Sequence, residues 1–150
     1  SNVEYYGLRF GSVNGWSPNM RLDLMINAMT TSAQRTGVVN VFNGNCYRPI
    51  LGINDLVRAV DCIVKSSVDK RGIYNINSFN QNIFEIGESV AKATKSTLKD
   101  QGNNFTYNFS ISSKKFCDAY NFKFTDTVTT IVENIVNNPF NDKWSKREKI

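Results

Sequence analysis

The chain has 150 residues, 41% of them hydrophobic, with 18 Lys or Arg against 13 Asp or Glu for a formal charge of +5, and no histidine. A chain of this size buries roughly 70% of its unfolded surface, enough for one core, while its longest apolar windows fall short of the ~20 residues that a bilayer span needs. Without histidine it offers no imidazole base, no histidine triad and no histidine-ligated zinc. Cys46, Cys62 and Cys117 lack a C-x-x-C pair, which argues against a disulfide framework or a thiolate metal site. The opening "SNVEYYGLRF" has no basic segment followed by an apolar one, so the expected compartment is the cytoplasm. A positive balance favours anions, but "KWSKREKI" (143–150) concentrates it in a stretch that reads as a frayed tail rather than a nucleic-acid arm.

In chain order, "YYGLRFGSV" (5–13) reads as a strand ending in an Asn-Gly turn. Leu22, Met25, Ile26, Met29 and Ala33 recur at helical spacing and predict a helix over 20–35, stopped by Gly37. "VVNVF" (38–42) is a short strand before the turn Asn43-Gly44-Asn45. Asn54 is placed to cap a helix from Asp55 to Ser66 with an inner face of Leu56, Val57, Val60, Ile63 and Val64. "GIYNINS" starts another strand, and a helix follows over 84–94 with Ile86, Val90 and Ala93. "NFTYNFSI" (104–111) alternates as a strand would. Ser112 is placed to cap a short helix to Tyr120, and Thr125 to cap a last one with the stripe Val128, Ile131, Val132, Ile135 and Val136. Asparagine occurs twenty times, which we read as compositional bias of the source genome.

This mixed α/β order resembles the C-terminal part of the extended short-chain dehydrogenase/reductases, the NAD-dependent nucleotide-sugar epimerases and dehydratases. The resemblance is carried by "LRFGSVNG" (8–15), "NAMTTSAQRTGVVNVFNGNCYRPILGINDLVRA" (27–59), "IYNINS" and "IFEIGESVA". It implies a late Rossmann-type strand and turn over 1–16, a small α/β substrate-binding domain over 17–138, and a basic tail over 139–150. It also implies that Arg48 grips the diphosphate of a nucleotide sugar. A guanidinium presents a planar fork of donors to a phosphate, and Pro49 stiffens the backbone that carries it. Pairing with Asp55, or a plain surface position, are the alternatives. Three further positions carry over: Ser12 at the strand end, for the sugar or its phosphate; Asn27, near the diphosphate and base; and Phe42, lining the base pocket. A strand-end serine, a helix-face hydrogen bond and a core aromatic are their ordinary alternatives.

The family's glycine-rich dinucleotide loop is missing, and none of the six tyrosines has a lysine four residues on. The family uses that Tyr-x-x-x-Lys pair for proton transfer with a sugar hydroxyl. This chain is therefore expected to bind no NAD or NADP alone, to carry no catalytic residue, and to need a companion chain or N-terminal half that supplies the cofactor domain. The family's later phosphate-binding arginine is Phe105 here, and its turn tyrosine is Asn14. A non-catalytic nucleotide-sugar-binding or nucleic-acid-associated module derived from this family is the alternative to an enzyme part.

Overall fold

The computed structural model describes residues 5–66 and 70–138; the basic tail over 139–150 lies outside the described residues. Three small sheets and five helices alternate along the chain. Strand β1 (Tyr6–Phe10) and β2 (Ser12–Asn14) precede α1 (Met25–Thr36) and β3 (Val38–Val41). Next come β4 (Tyr47–Gly52), α2 (Ile53–Lys65), β5 (Gly72–Ile76), β6 (Phe79–Asn82), α3 (Ile83–Thr94) and β7 (Thr97–Asp100). Helices α4 (Lys114–Tyr120) and α5 (Val128–Val136) close the order. β1 pairs with β5, β3 with β7 and β2 with β4, all parallel, while β4 meets β6 antiparallel. No helix among the described residues is long and apolar enough to cross a membrane.

The predicted first strand is two strands, because the chain changes sheets at Gly11. Its N–H donates to the Ile76 carbonyl, and a Cβ there would press on the Pro49 carbonyl oxygen at 2.9 Å. The helix predicted from residue 20 begins at Met25. Leu24 supplies no side-chain cap, and the Asn14 carboxamide accepts from the Ile26 N–H instead, so a residue twelve positions upstream of that N–H sets the boundary. Gly37 ends the helix as predicted, at φ +70°, with its N–H on the Ala33 carbonyl at 2.9 Å. The expected strand over 104–111 does not form. Its backbone bonds mainly to asparagine side chains: Asn104 N–H to Asn43 Oδ1, Ile111 N–H to Asn80 Oδ1, and the Ile111 carbonyl from Asn80 Nδ2. The partner of β3 is β7, which sequence reading missed.

β4 stands between two cores. Its pleat sends Ile50 into one formed by α1, β3, α3 and α5, and Leu51 into another with Ala59, Tyr74, Ile76, Phe116 and Tyr120. The second core is aromatic, with Phe116 4.8 Å from Tyr120 and 5.2 Å from Phe122 between ring centroids. α2 buries only part of its expected inner face. Leu56 and Ile63 pack on this core, whereas Val57, Val60 and Val64 are 62%, 40% and 77% exposed.

Where β4 runs into α2, two buried aspartates exchange backbone bonds. Asp126 Oδ2 accepts from the Asp55 N–H at 2.9 Å, and Asp55 Oδ2 accepts from the Asp126 N–H at 2.8 Å. Asp55 also takes the Thr125 N–H at 3.0 Å, the Ser78 hydroxyl at 2.7 Å and Arg58 Nη1 at 2.6 Å. Asn54 therefore does not cap α2; the capping carboxylate comes from 71 residues away in the sequence. The same contact occupies Thr125, so α5 is capped by Thr127, in a reciprocal box with Thr130. Ser112 is displaced in the same way: Ser113 is the N-cap of α4, and its hydroxyl serves Asn77.

Gly52 makes the approach feasible, because a Cβ there would meet Asp126 Oδ2 at 2.0 Å. Gly52→Ala is expected to lower stability by about 3 kcal/mol through overpacking. Asp55→Ala, which leaves buried donors unpaired, should lower it by about 4 kcal/mol. Asp118→Ala, which breaks an exposed pair with Lys114, should leave it unchanged within error. Urea denaturation of the three variants checks this order.

Candidate functional site

Arg48 is the second residue of β4, opposite Gln81 of β6. Its Nη1 donates to the Tyr47 carbonyl at 2.8 Å, its Nη2 to the Thr106 hydroxyl at 2.8 Å, and the guanidinium lies 5.7 Å from the Phe109 ring centroid. Among the described residues no carboxylate lies within ion-pair reach of it, and Asp55 is taken by Arg58. The expected alternative of an Arg48–Asp55 pair is thus overturned: Asp55 points into the interior at the far end of β4. Arg48 is half-buried and its charge has only neutral partners.

The segment over 101–113 crosses the starts of β4 and β6 as a strap. It is tied by Asn104 to Asn43, by Asn108 Oδ1 accepting from the Tyr47 N–H at 2.8 Å, and by Asn80 to Ile111. Thr106 and Asn108 turn toward β4, while Phe105 and Tyr107, which alternate with them, are 97% and 77% exposed. Thr106 and Phe109 are the Arg48 partners that sequence reading missed; the "F-T-Y-N-F" alternation was the available signal, read there as a strand.

Phe42, half-exposed just after β3, lines a groove of about 320 Å³ together with Met25, Ala28, Met29, Ser32, Asn40 and Ile83. The helical stripe of α1 thus divides: Ile26 and Ala33 are core, whereas Met25 also forms a groove wall. Ser12 pairs with Ile50, two residues along from Arg48, so by strand alternation Ser12 and Arg48 share one face of the β2–β4 pair.

Asn27 is 2% exposed, and its carboxamide is committed on both sides. Oδ1 accepts from the Gly15 N–H at 2.9 Å and Nδ2 donates to the Arg21 carbonyl at 2.9 Å. Gly15 itself, at φ +132°, lets the chain turn against Ile53. Asn14 is likewise buried, accepting from the Ile26 N–H and donating to the Ser12 carbonyl at 2.9 Å. The structure brings Arg48 and Ser12 to one sheet face and sets Phe42 across the Asn43–Cys46 turn from Arg48. Asn27 lies in the first turn of α1, with its carboxamide turned to the loop that leads into that helix.

No protein-family model matches the chain. Solved structures do. A dTDP-glucose 4,6-dehydratase from Bacillus anthracis, in complex with NAD, superposes with a TM-score of 0.72 at 18% identity, covering 95% of this chain and 47% of that one. A UDP-glucuronic acid 4-epimerase from Bacillus cereus, in complex with UDP-glucuronic acid and NAD, gives 0.70 at 15% identity over 93% and 44%. An ADP-L-glycero-D-manno-heptose-6-epimerase from Helicobacter pylori gives 0.72 at 17% identity over 88% and 43%. The chain therefore has the fold of the C-terminal part of the extended short-chain dehydrogenase/reductases, and it spans less than half the length of the structures it matches.

The geometry separates a free arginine from a structural asparagine. Arg48→Ala should change the stability of the unliganded protein by no more than about 1 kcal/mol. Asn27→Ala, which strands a buried N–H and a carbonyl, should cost about 3 kcal/mol. Thermal and urea unfolding of both variants read the difference.

Proposed function

We propose that this chain is the substrate-binding half of a nucleotide-sugar epimerase or dehydratase, and that Arg48 grips the diphosphate of the substrate. The observation that carries this reading is the setting of Arg48: a half-buried guanidinium held by a carbonyl, a hydroxyl and a ring face, with no carboxylate within ion-pair reach among the described residues. Neutral acceptors orient a guanidinium without neutralising it, so a phosphate that arrives finds the fork already aimed. In this reading Ser12, on the same face, donates its hydroxyl to the sugar or its phosphate. Phe42 and the groove beside it take the base. Asn27 serves the same site by holding the loop before α1.

The chemistry of the family needs a glycine-rich loop, a Tyr-x-x-x-Lys pair and NAD or NADP, which a companion chain or an N-terminal half would bring. The described residues do not suit a dinucleotide. The N-terminus of α2 follows a strand, as a pyrophosphate-binding helix does, but Asp55 and Asp126 already fill it with two carboxylates. Val57, Val60 and Val64 support a partner chain. They form an exposed stripe at i, i+3 and i+7 on α2, wider apolar cover than this chain alone uses. The nucleotide sugar is the ligand of this half, and turnover belongs to the assembled pair.

UDP-glucose is the probe. It is expected to raise the melting temperature of the chain, and Arg48→Ala to remove that rise, with a loss of about 2 to 5 kcal/mol of binding free energy, or roughly thirtyfold to several-thousandfold in affinity. Arg48→Lys should recover only part, because a point charge lacks the fork. A rise that survives Arg48→Ala undiminished sinks the diphosphate assignment.

A further inference from the structure

We propose that Asn40, oriented by Gln101, reads the nucleobase in the α1–β3 groove and selects a lactam edge, a ring carbonyl beside an N–H, as carried by uracil, thymine and guanine. The proposal rests on the reading of the groove as the base site of a nucleoside diphosphate. β3 alternates: Val39 and Val41 are fully buried in the core, so Asn40 and Phe42 face the other side and border the groove. Met25, Met29, Phe42 and Ile83 give that groove apolar walls, suited to the faces of a flat ring. Among the described residues only Asn40 and Ser32 bring polar side chains to it.

The polar atoms there are not equivalent. The Ser32 hydroxyl donates to the Val38 carbonyl at 2.8 Å, so toward the groove it offers lone pairs only. Asn40 Oδ1 accepts from Gln101 Nε2 at 2.7 Å, which leaves Nδ2 as the end with hydrogens to give. Gln101 is in turn pinned at the end of β7, where its backbone N–H donates to the Val41 carbonyl at 2.8 Å. The groove therefore shows one donor and one acceptor against apolar walls. A lactam complements that pair: its carbonyl accepts from Asn40 Nδ2 and its N–H donates to Ser32 Oγ. Cytosine reverses both, setting an amino group against Nδ2 and a lone pair against the serine oxygen. A mismatched polar edge in an apolar site costs more than a matched one contributes.

Gln101 is a positioning residue, exposed and outside the groove, and it permits a test that leaves the lining intact. Glutamate can only accept at that place, so Gln101→Glu turns the Asn40 carboxamide round to give Nδ2 to residue 101 and Oδ1 to the groove. Calorimetry with UDP, CDP and inorganic pyrophosphate on the wild type, Gln101→Glu, Asn40→Ala and Arg48→Ala reads the result. The expected wild-type preference for UDP over CDP is roughly tenfold, the loss of one to two hydrogen bonds. Gln101→Glu should invert it, Asn40→Ala should level it, and neither should change the pyrophosphate affinity relative to the other. Equal UDP and CDP affinities in the wild type, or a preference that survives Gln101→Glu, overturn the proposal, with pyrophosphate binding sensitive to Arg48 still supporting the diphosphate grip. A preference that follows Gln101 while Arg48→Ala has no effect keeps this inference and removes the grip. Absence of binding by UDP and pyrophosphate alike removes both.

Discussion

The exchange between Asp55 and Asp126 is the constraint on which the rest of the structure hangs. Two carboxylates withdrawn from water carry a desolvation cost that only a full set of donors offsets. Here the donors are the backbone N–H groups of Asp55, Thr125 and Asp126, the Ser78 hydroxyl and Arg58. They come from three parts of the chain: α2, the turn after β5, and the approach to α5. Satisfying the pair therefore closes loops of 23 and about 70 residues at one point. It also holds the end of β4 between the two cores, and so sets the place of Arg48 at the other end of that strand.

The two arginines of this region show how partners separate structure from function. Arg58 meets a buried carboxylate, the Thr125 hydroxyl and the Lys123 carbonyl, and lies 4.9 Å from the Phe122 ring centroid. Its charge is spent inside the fold. Arg48 has a comparable set of contacts without the carboxylate, so its charge is free to meet an anion. From the sequence both are arginines near an apolar run, and the difference comes from where Asp55 points.

The asparagines carry more of the architecture than a compositional reading allows. Asn14, Asn27 and Asn134 take the N–H groups of Ile26, Gly15 and Trp16, which holds together a loop with little regular structure. Asn43, Asn80 and Asn108 do the same for the strap. A short carboxamide can stand in for a missing ladder because it offers a donor and an acceptor at turn distance. The strap was therefore read as a strand for a physical reason: its side chains alternate as in a strand, while its backbone is satisfied by side chains rather than by a neighbour.

Long periodic segments were legible in the sequence alone. The helices around Ile26, Ala59, Val90 and Ile131, the strands of "VVNV" and "GIYNI", and the resemblance to the C-terminal part of the extended short-chain dehydrogenase/reductases all follow from local pattern and order, because burial of one face imposes a repeat that nearby residues record. Arg48, Ser12, Asn27 and Phe42 could be named from the resemblance. Their surroundings could not. The caps of α1, α2 and α5, the parallel pairing of β3 with β7, the exposed valines of α2, the latch of Thr106 on Arg48 and the bond from Gln101 to Asn40 all join residues that are distant in the chain or depend on such a contact. Only tertiary structure decided them, since a carboxamide, a hydroxyl or a carboxylate has several acceptable partners and local sequence does not say which will be brought within 3 Å.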